Sequence, residues 1–266
     1  MPKKSKASVP SLNWFSFPQI DVATSVTSIL HKAAAFSPAA ASATNKIDPI
    51  TAAAEWAVAS KSLGRAMTEA EWWKAEAQRQ LQKSIANSIG EAQQEIIGSL
   101  DGWTSYTSVL TKPDLVGQIG NQKIIAEVKN KKNTTNKGSG GAVYDEMANF
   151  LDGEYKGYVG ILVQAMHPFS RKPYWTTFHP GKRPERKDLI NMTGRVFYAI
   201  AADAAHRQPV VDFDEFADLK SWPSWTAFDS MCKLFYDEIE NQTSIAIEPW
   251  LRDLLKTHTK RPAGLI

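Results

Sequence analysis

The stretch KPDLVGQIGNQKIIAEVK, residues 112–129, predicts two short antiparallel strands joined by a tight turn. Gly120-Asn121 suits a two-residue hairpin loop that begins with glycine. With that loop, Asp114 lies opposite Glu127 at the open end of the hairpin. Lys129 follows Glu127 by two positions, so its side chain points to the same face of the sheet.

Two carboxylates at facing positions of a sheet repel each other, because their Cβ atoms are roughly 5 Å apart. Apolar neighbours predict that this pair is at least partly buried, which raises the cost of two unpaired charges: Ile124, Ile125, Ala126 and Val128. A hard divalent cation removes the conflict, and carboxylate oxygens are the ligands that Mg²⁺ prefers. Two acids and a lysine around a metal suit phosphodiester hydrolysis. The alternative is a solvated salt-bridge cluster on the wet face of a hairpin.

The composition narrows the class of protein. Of the 266 residues 43% are hydrophobic and nine are Trp, so the chain can bury a sizeable core. The single cysteine, Cys232, excludes an internal disulfide and a cysteine-based zinc cluster. The sequence shows no signal peptide and no stretch of ~20 apolar residues. We therefore expect a cytoplasmic protein without a membrane segment.

Positive charge is concentrated in two segments, although the net charge is only +3. Residues 130–139 are expected to form a polar loop directly after the second strand of the hairpin, and residues 167–187 hold several arginines. Such groups contact phosphates and base edges, and arginine suits guanine O6 and N7. A flexible solvated loop is the alternative. The candidate DNA contacts are Asn130, Lys131, Lys132, Asn133, Lys137, Ser139, Arg171, Lys172, Lys182, Arg183 and Arg186.

The hydrophobic pattern predicts the remaining elements. Helices are expected over 20–36, 49–62, 68–100, 143–151, 188–205, 224–240 and 248–257. The third of these begins at Thr68 with a sequence like a capping box, and Gly90 is a possible interruption of it. Strands are expected over 157–165 and 174–178.

Pro-Asp followed on the next strand by Glu-x-Lys is the signature of the PD-(D/E)XK nuclease superfamily. The run IIAEVKNKKNTTNKGS, residues 124–139, resembles the active-site region of type II restriction endonucleases that cut GGNCC or GGWCC sites. The resemblance extends to SIGEAQQEIIGSL at 88–100, YKGY at 155–158 and GRVFYA at 194–199. It covers roughly residues 70–205.

The resemblance implies an α/β fold with a mixed central sheet flanked by helices, and the helical segments expected before residue 65 predict a helical N-terminal extension. It implies that Asp114 and Glu127 are ligands of one or two Mg²⁺ ions and that Lys129 assists the attacking water. A glutamate from the preceding helix often completes such a site. Glu91 is the candidate, Glu95 lies one helical turn later on the same face, and a solvated helix charge is the alternative for either.

The implied function is that of a type II restriction endonuclease, a Mg²⁺-dependent enzyme that cleaves double-stranded DNA at a specific sequence. Its products carry 5′-phosphate and 3′-hydroxyl ends. A near-palindromic site calls for a homodimer, and a cognate DNA methyltransferase would protect the host. The domains are expected at 1–64, the helical extension, and 65–266, the nuclease. A repair nuclease of the same superfamily and a non-catalytic DNA-binding module are the alternatives.

Overall fold

The structure, a computed structural model, describes residues 19–34, 49–107, 109, 111–129, 137–164, 175–206, 219–249 and 251–252. The chain divides into two compact units. One unit is Ser25–Ile89, and the other combines Met1–Thr24 with Gly90–Ile266. The domain boundary expected between residues 64 and 65 stays a prediction.

Three helices come first: α1 (Gln19–Ala34), α2 (Pro49–Leu63) and α3 (Glu69–Gly98). The predicted capping box at the start of α3 is confirmed. The Glu71 amide donates to the Thr68 hydroxyl at 3.3 Å, and the Thr68 amide donates to Glu71 Oε2 at 2.9 Å. Gly90 does not interrupt α3.

A mixed sheet of six strands follows, in the order β1-β2-β3-β4-β6-β5. The central strands β3, β4 and β6 are parallel, and the other neighbouring strands are antiparallel. The strand bounds are β1 (Trp103–Ser105), β2 (Leu115–Ile119), β3 (Gln122–Lys129), β4 (Val159–Gln164), β5 (Trp175–Thr177) and β6 (Leu189–Thr193). The predicted α/β class with a mixed sheet and flanking helices is confirmed.

The β2–β3 hairpin has the predicted register. Ile119 pairs with Gln122, and the ladder continues to Leu115 opposite Ala126. Gly120 has φ 57°, a left-handed conformation that favours glycine. Asp114 directly precedes the last of these pairs, so it lies beside Glu127.

Helices cover both faces of the sheet. The later helices are α4 (Lys137–Asp152), α5 (Gly194–His206) and α6 (Ala227–Thr243). Residues of α4 pack with those of β3, β4 and β6 in one buried cluster that includes Met147, Ile125 and Leu162. At Gly160 an added Cβ would lie 2.8 Å from Leu189 Cδ1 and 3.2 Å from Met147 Cε, so glycine allows this close approach.

Several expected boundaries were wrong. Residues 188–205 were expected to form one helix, but the chain forms β6 first and begins α5 only at Gly194. Because β6 lies between β4 and β5, Leu189, Ile190 and Met192 are buried, and an apolar run of this kind fits either a helix or an inner strand. Helix α4 begins at Lys137, six residues before the expected start. The three-residue strand β1 was missed.

Candidate active site

Asp114 is fixed at the open end of the hairpin by its own main chain and by β3. Its carbonyl accepts a hydrogen bond from the Tyr106 amide at 2.9 Å. Its Oδ2 accepts one from the Val128 amide at 2.8 Å. Pro113 and Leu115 on either side are buried. The carboxylate is thereby aimed at β3, at the level of Glu127.

Glu127 and Lys129 lie on one face of β3, as the alternation of side chains requires. The Lys129 ammonium donates a hydrogen bond to Glu127 Oε1. Only 12% of the Glu127 side chain and 30% of the Lys129 side chain are exposed. The structure therefore brings Asp114, Glu127 and Lys129 together in a half-buried cluster.

Electrostatics show a conflict between the two carboxylates. Burial, and next the negative charge of Glu127, raise the pKa of Asp114 to about 7, although the Val128 amide opposes the shift. Burial lowers the pKa of the Lys129 ammonium, but the charge of Glu127 and its hydrogen bond outweigh this effect and the pKa is raised. One lysine thus compensates the pair only in part.

The donor set suits a divalent metal ion. Two carboxylates from adjacent strands offer oxygen ligands, and a cation would relieve the repulsion that raises the pKa of Asp114. Within the described parts of the chain, no three His, Cys, Asp or Glu side chains form a group able to hold a metal. Glu91 is half-buried and Glu95 is exposed on α3. Their proposed completion of the site stays a prediction.

Glu146 on α4 is a neighbour of this cluster that sequence reasoning missed. Burial and the charge of Glu127 raise the pKa of Glu146, while the charge of Lys129 lowers it. The residue comes 17 positions after Lys129, beyond a polar stretch of sequence, so local spacing does not reveal it. Glu146 is exposed on α4, and no pattern in the sequence marks it.

Two of the candidate DNA contacts form ion pairs. Arg183 donates from Nε and Nη2 to Asp145 at 3.0 and 2.5 Å. Arg186 donates to both oxygens of Asp188, at 3.0 and 2.9 Å, and to Asp152 at 2.9 Å. We call these five residues the arginine clamp. It ties the segment after β5 to helix α4.

Two further contacts tighten this attachment. An added Cβ at Gly141 would lie 2.6 Å from Cζ of Arg183, so the guanidinium packs directly on α4. The Tyr144 hydroxyl donates to the Pro184 carbonyl at 2.7 Å. The segment after β5 is therefore attached to α4 at several residues of the helix.

The other candidate DNA contacts are less fully described. Lys182 is exposed. Lys137 and Ser139 lie in the first turn of α4, where only the backbone is described. The remaining six lie outside the described residues: Asn130, Lys131, Lys132, Asn133, Arg171 and Lys172. Their DNA contacts stay predictions.

Comparison with known proteins gives consistent matches. The sequence model of the Eco47II restriction endonuclease family matches residues 21–208. The chain is 30% identical over 141 residues to the type II restriction enzyme Eco47II of Escherichia coli, covering 49% of this chain and 56% of that protein. It is 27% identical over 109 residues to the type II restriction enzyme Sau96I of Staphylococcus aureus, covering 41% and 40%.

The chain spans about half the length of the curated relatives it matches. The family match includes the β2–β3 hairpin, α4 and the arginine clamp. Among the described helices, none is both long and apolar enough to cross a membrane.

Proposed function

The chain belongs to the Eco47II restriction endonuclease family, and from this premise we propose that it is a type II restriction endonuclease that hydrolyses phosphodiester bonds of double-stranded DNA. The observation that carries the proposal is the facing pair Asp114 and Glu127 with Lys129 on the same strand. All three lie within the part of the chain that the family matches. A merely structural cluster would balance its charges, whereas here two facing carboxylates share one lysine.

The chemistry divides among these side chains. Asp114 and Glu127 would hold Mg²⁺, which when bound supplies positive charge at the scissile phosphate and makes a coordinated water more acidic. The amide of Val128 keeps the Asp114 carboxylate turned toward that position. The Lys129 ammonium orients the attacking water and stabilises charge that develops on the phosphate. Water would attack the phosphorus from the side opposite the 3′ oxygen, and the bond between phosphorus and that oxygen would break. The 3′ oxygen takes up a proton, so the products carry 5′-phosphate and 3′-hydroxyl ends.

The substrate proposal follows the resemblance of residues 124–139 to enzymes that cut GGNCC-like sites. A near-palindromic site matches a homodimer in which each subunit cuts one strand. The polar stretch of sequence after β3 and the exposed Lys182 near the arginine clamp are proposed DNA contacts. A cognate methyltransferase would protect the host site, and a cytoplasmic location follows from that role.

The test is digestion of unmethylated phage DNA by purified protein, with Mg²⁺ or with EDTA, followed by sequencing of the product ends. We expect discrete fragments only with Mg²⁺, and the ends give the site and the stagger. Glu127→Gln is the matched control, because it keeps the shape of the side chain and removes its charge. A smear of products would indicate a nuclease without sequence specificity. Intact DNA under all metals tried would refute the proposal.

A further inference from the structure

The active face of the sheet continues from β3 onto its two parallel neighbours. Lys129 pairs with Gln164 of β4, and Gln164 pairs with Thr193 of β6. Paired residues of parallel strands point to the same face, and neighbouring strands lie roughly 4.8 Å apart. Gln164 therefore lies beside Lys129, on the face of the proposed metal ligands, and Thr193 lies one strand farther. We call these three residues the edge row.

Gln164 ends a strand that is otherwise apolar. The three residues before it, 161–163, are fully buried, as is typical of a central parallel strand. Gln164 itself is only 8% exposed. Burying a carboxamide is costly unless its donors and acceptor find hydrogen-bond partners. Packing alone therefore does not explain a glutamine at this position.

Two side-chain oxygens near Gln164 are buried without a hydrogen-bond partner among the described residues. They are Oγ1 of Thr193, in the edge row, and Oδ1 of Asn191, two residues earlier on the same strand and face. Native proteins rarely leave such atoms unsatisfied, because each costs free energy comparable to a lost hydrogen bond. This is expected of a place where water or a ligand completes the hydrogen bonds.

The chemistry of the edge row suits an anion. Its ammonium, carboxamide and hydroxyl groups can all donate hydrogen bonds, and the row contains no acid. Lys129 and Gln164 are the last residues of their strands. In α/β sheets, ligands bind outside the carboxyl ends of the parallel strands.

Both sequence segments that hold candidate DNA contacts follow a strand of the edge row. Residues 130–139 follow Lys129 directly, and residues 167–187 begin three positions after Gln164. Phosphates of the DNA backbone are the anions that this edge of the sheet would meet, since most hydrogen bonds between protein and DNA go to phosphate and sugar.

We propose that Gln164 is a substrate-binding residue, whose carboxamide donates a hydrogen bond to one backbone phosphate of the DNA beside the metal site. Because so little of Gln164 is exposed, it reaches a single phosphate. A neutral carboxamide adds little general attraction to DNA, so the contact fixes the position of the backbone on the sheet. This inference rests on the proposed function, because it assumes that the active face binds DNA.

The experiment couples changes in the protein to changes in single phosphates. Binding of a duplex with one GGNCC site, or the site that the product ends give, is measured by fluorescence anisotropy at low salt in EDTA. The parent protein carries Glu127→Gln, which prevents cleavage. A neutral methylphosphonate replaces each phosphate across the site in turn, in the parent and in Gln164→Met, which keeps the length of the side chain and removes its donors.

We expect Gln164→Met to weaken binding of the unmodified duplex about tenfold, because a hydrogen bond to a charged group is lost. At one phosphate, the methylphosphonate should weaken binding by the parent about tenfold and binding by Gln164→Met hardly at all. Gln164→Glu should reverse the sign at that phosphate, because the neutral linkage relieves a repulsion. The Tm of Gln164→Met should not fall, since the variant buries an apolar group in place of an amide.

Asn191→Leu is the matched control, because it also removes a polar group from the active face but lies deeper in the sheet. It should keep the full effect of the methylphosphonate at every phosphate. Equal effects in the parent and in Gln164→Met at all positions would overturn the inference and make the role of Gln164 structural.

The two proposals can fail separately. A wild-type protein that cuts DNA at a specific site, without coupling between Gln164 and any phosphate, would keep the proposed function and overturn this inference. Coupling at one phosphate in a wild-type protein that cuts no DNA would do the reverse. A parent protein that binds no duplex would overturn both.

Discussion

The β2–β3 hairpin, with Lys129 at its end, and the arginine clamp both hold clusters of charged residues, but their charges are arranged in opposite ways. In the hairpin, Asp114 and Glu127 are brought together and one lysine compensates them only in part. In the clamp, Arg183 and Arg186 each meet acids through at least two hydrogen bonds. In the clamp, opposite charges neutralise each other and stabilise the fold. In the hairpin, two negative charges lie together without full compensation, which is typical of a site that binds a cation.

The largest effect is expected when a carboxylate of the hairpin is removed. Asp114→Ala or Glu127→Ala should lower the cleavage rate by at least about a thousandfold, because each removes a proposed metal ligand. DNA binding in EDTA should change by less than about threefold, since neither carboxylate attracts a phosphate. Single-turnover cleavage and a gel-shift assay measure the two. Normal cutting by folded Asp114→Ala protein would remove Asp114 from the mechanism.

A second prediction concerns the stability of the metal-free protein. Because the pKa of Asp114 rises from 3.8 to about 7 on folding, the folded state binds this proton more tightly than the unfolded state. The penalty for the charged form grows as the pH rises from about 4 to about 7, and it is complete above that range. Asp114→Asn should therefore stabilise the protein in EDTA by about 2 kcal/mol at pH 8 and by much less at pH 5.

Urea unfolding at the two pH values measures this difference. Saturating Mg²⁺ should reverse it, because only the carboxylate binds the metal well. Asp101→Asn, in an exposed turn, is the control and should leave the urea midpoint unchanged. An Asp114→Asn protein less stable than the wild type at pH 8 in EDTA would show that the two carboxylates do not conflict.

A third prediction tests the clamp. Arg186→Ala should destabilise the fold by about 1–2 kcal/mol, because Asp152 and Asp188 lose a charged donor that is only 21% exposed. Arg186→Lys should restore part of this loss, since lysine keeps the charge but not the forked geometry. The exposed neighbour Lys187, changed to Ala, should stay within about 0.5 kcal/mol of the wild type. Unchanged stability of Arg186→Ala with weaker DNA binding would instead assign Arg186 to the DNA.

The smallest effect is expected at Lys182, an exposed residue next to the clamp that forms no part of it. Lys182→Ala removes an exposed cation and should reduce the salt dependence of DNA binding by about one unit of slope, with no change in Tm. Fluorescence anisotropy at several salt concentrations measures this, in a Glu127→Gln background that prevents cleavage. A slope identical to that of the parent protein would place Lys182 away from the DNA.

The hairpin could be predicted because every determinant is local. The turn at Gly120-Asn121 sets the register, and the alternation of side chains sets the face, so the relation of Asp114 to Glu127 follows from counting. The contacts between the clamp and α4 could not be found in this way, because Arg183 meets Asp145 and Arg186 meets Asp152, acids that lie 38 and 34 residues away in sequence. Such contacts depend on how α4 packs on the sheet.

The error at 188–205 has a related cause. Leu189, Ile190 and Met192 belong to an apolar run that continues into α5, and the run itself does not show where an inner strand ends. The strand assignment depends on the neighbours β4 and β5 on either side. Residues 189–193 form a strand because of their position in the sheet, which is a property of the whole fold.

The two-residue turn has a consequence for how such a protein can change over generations. Between Asp114 and the strand that carries Glu127 lie the five residues of β2 and then the two-residue turn. A residue inserted within β2 would turn the Asp114 side chain to the opposite face, while an insertion in the turn itself can be absorbed by a longer loop. Under the proposed function, a single inserted codon in β2 is therefore a one-step evolutionary route from an active enzyme to a folded but inactive descendant.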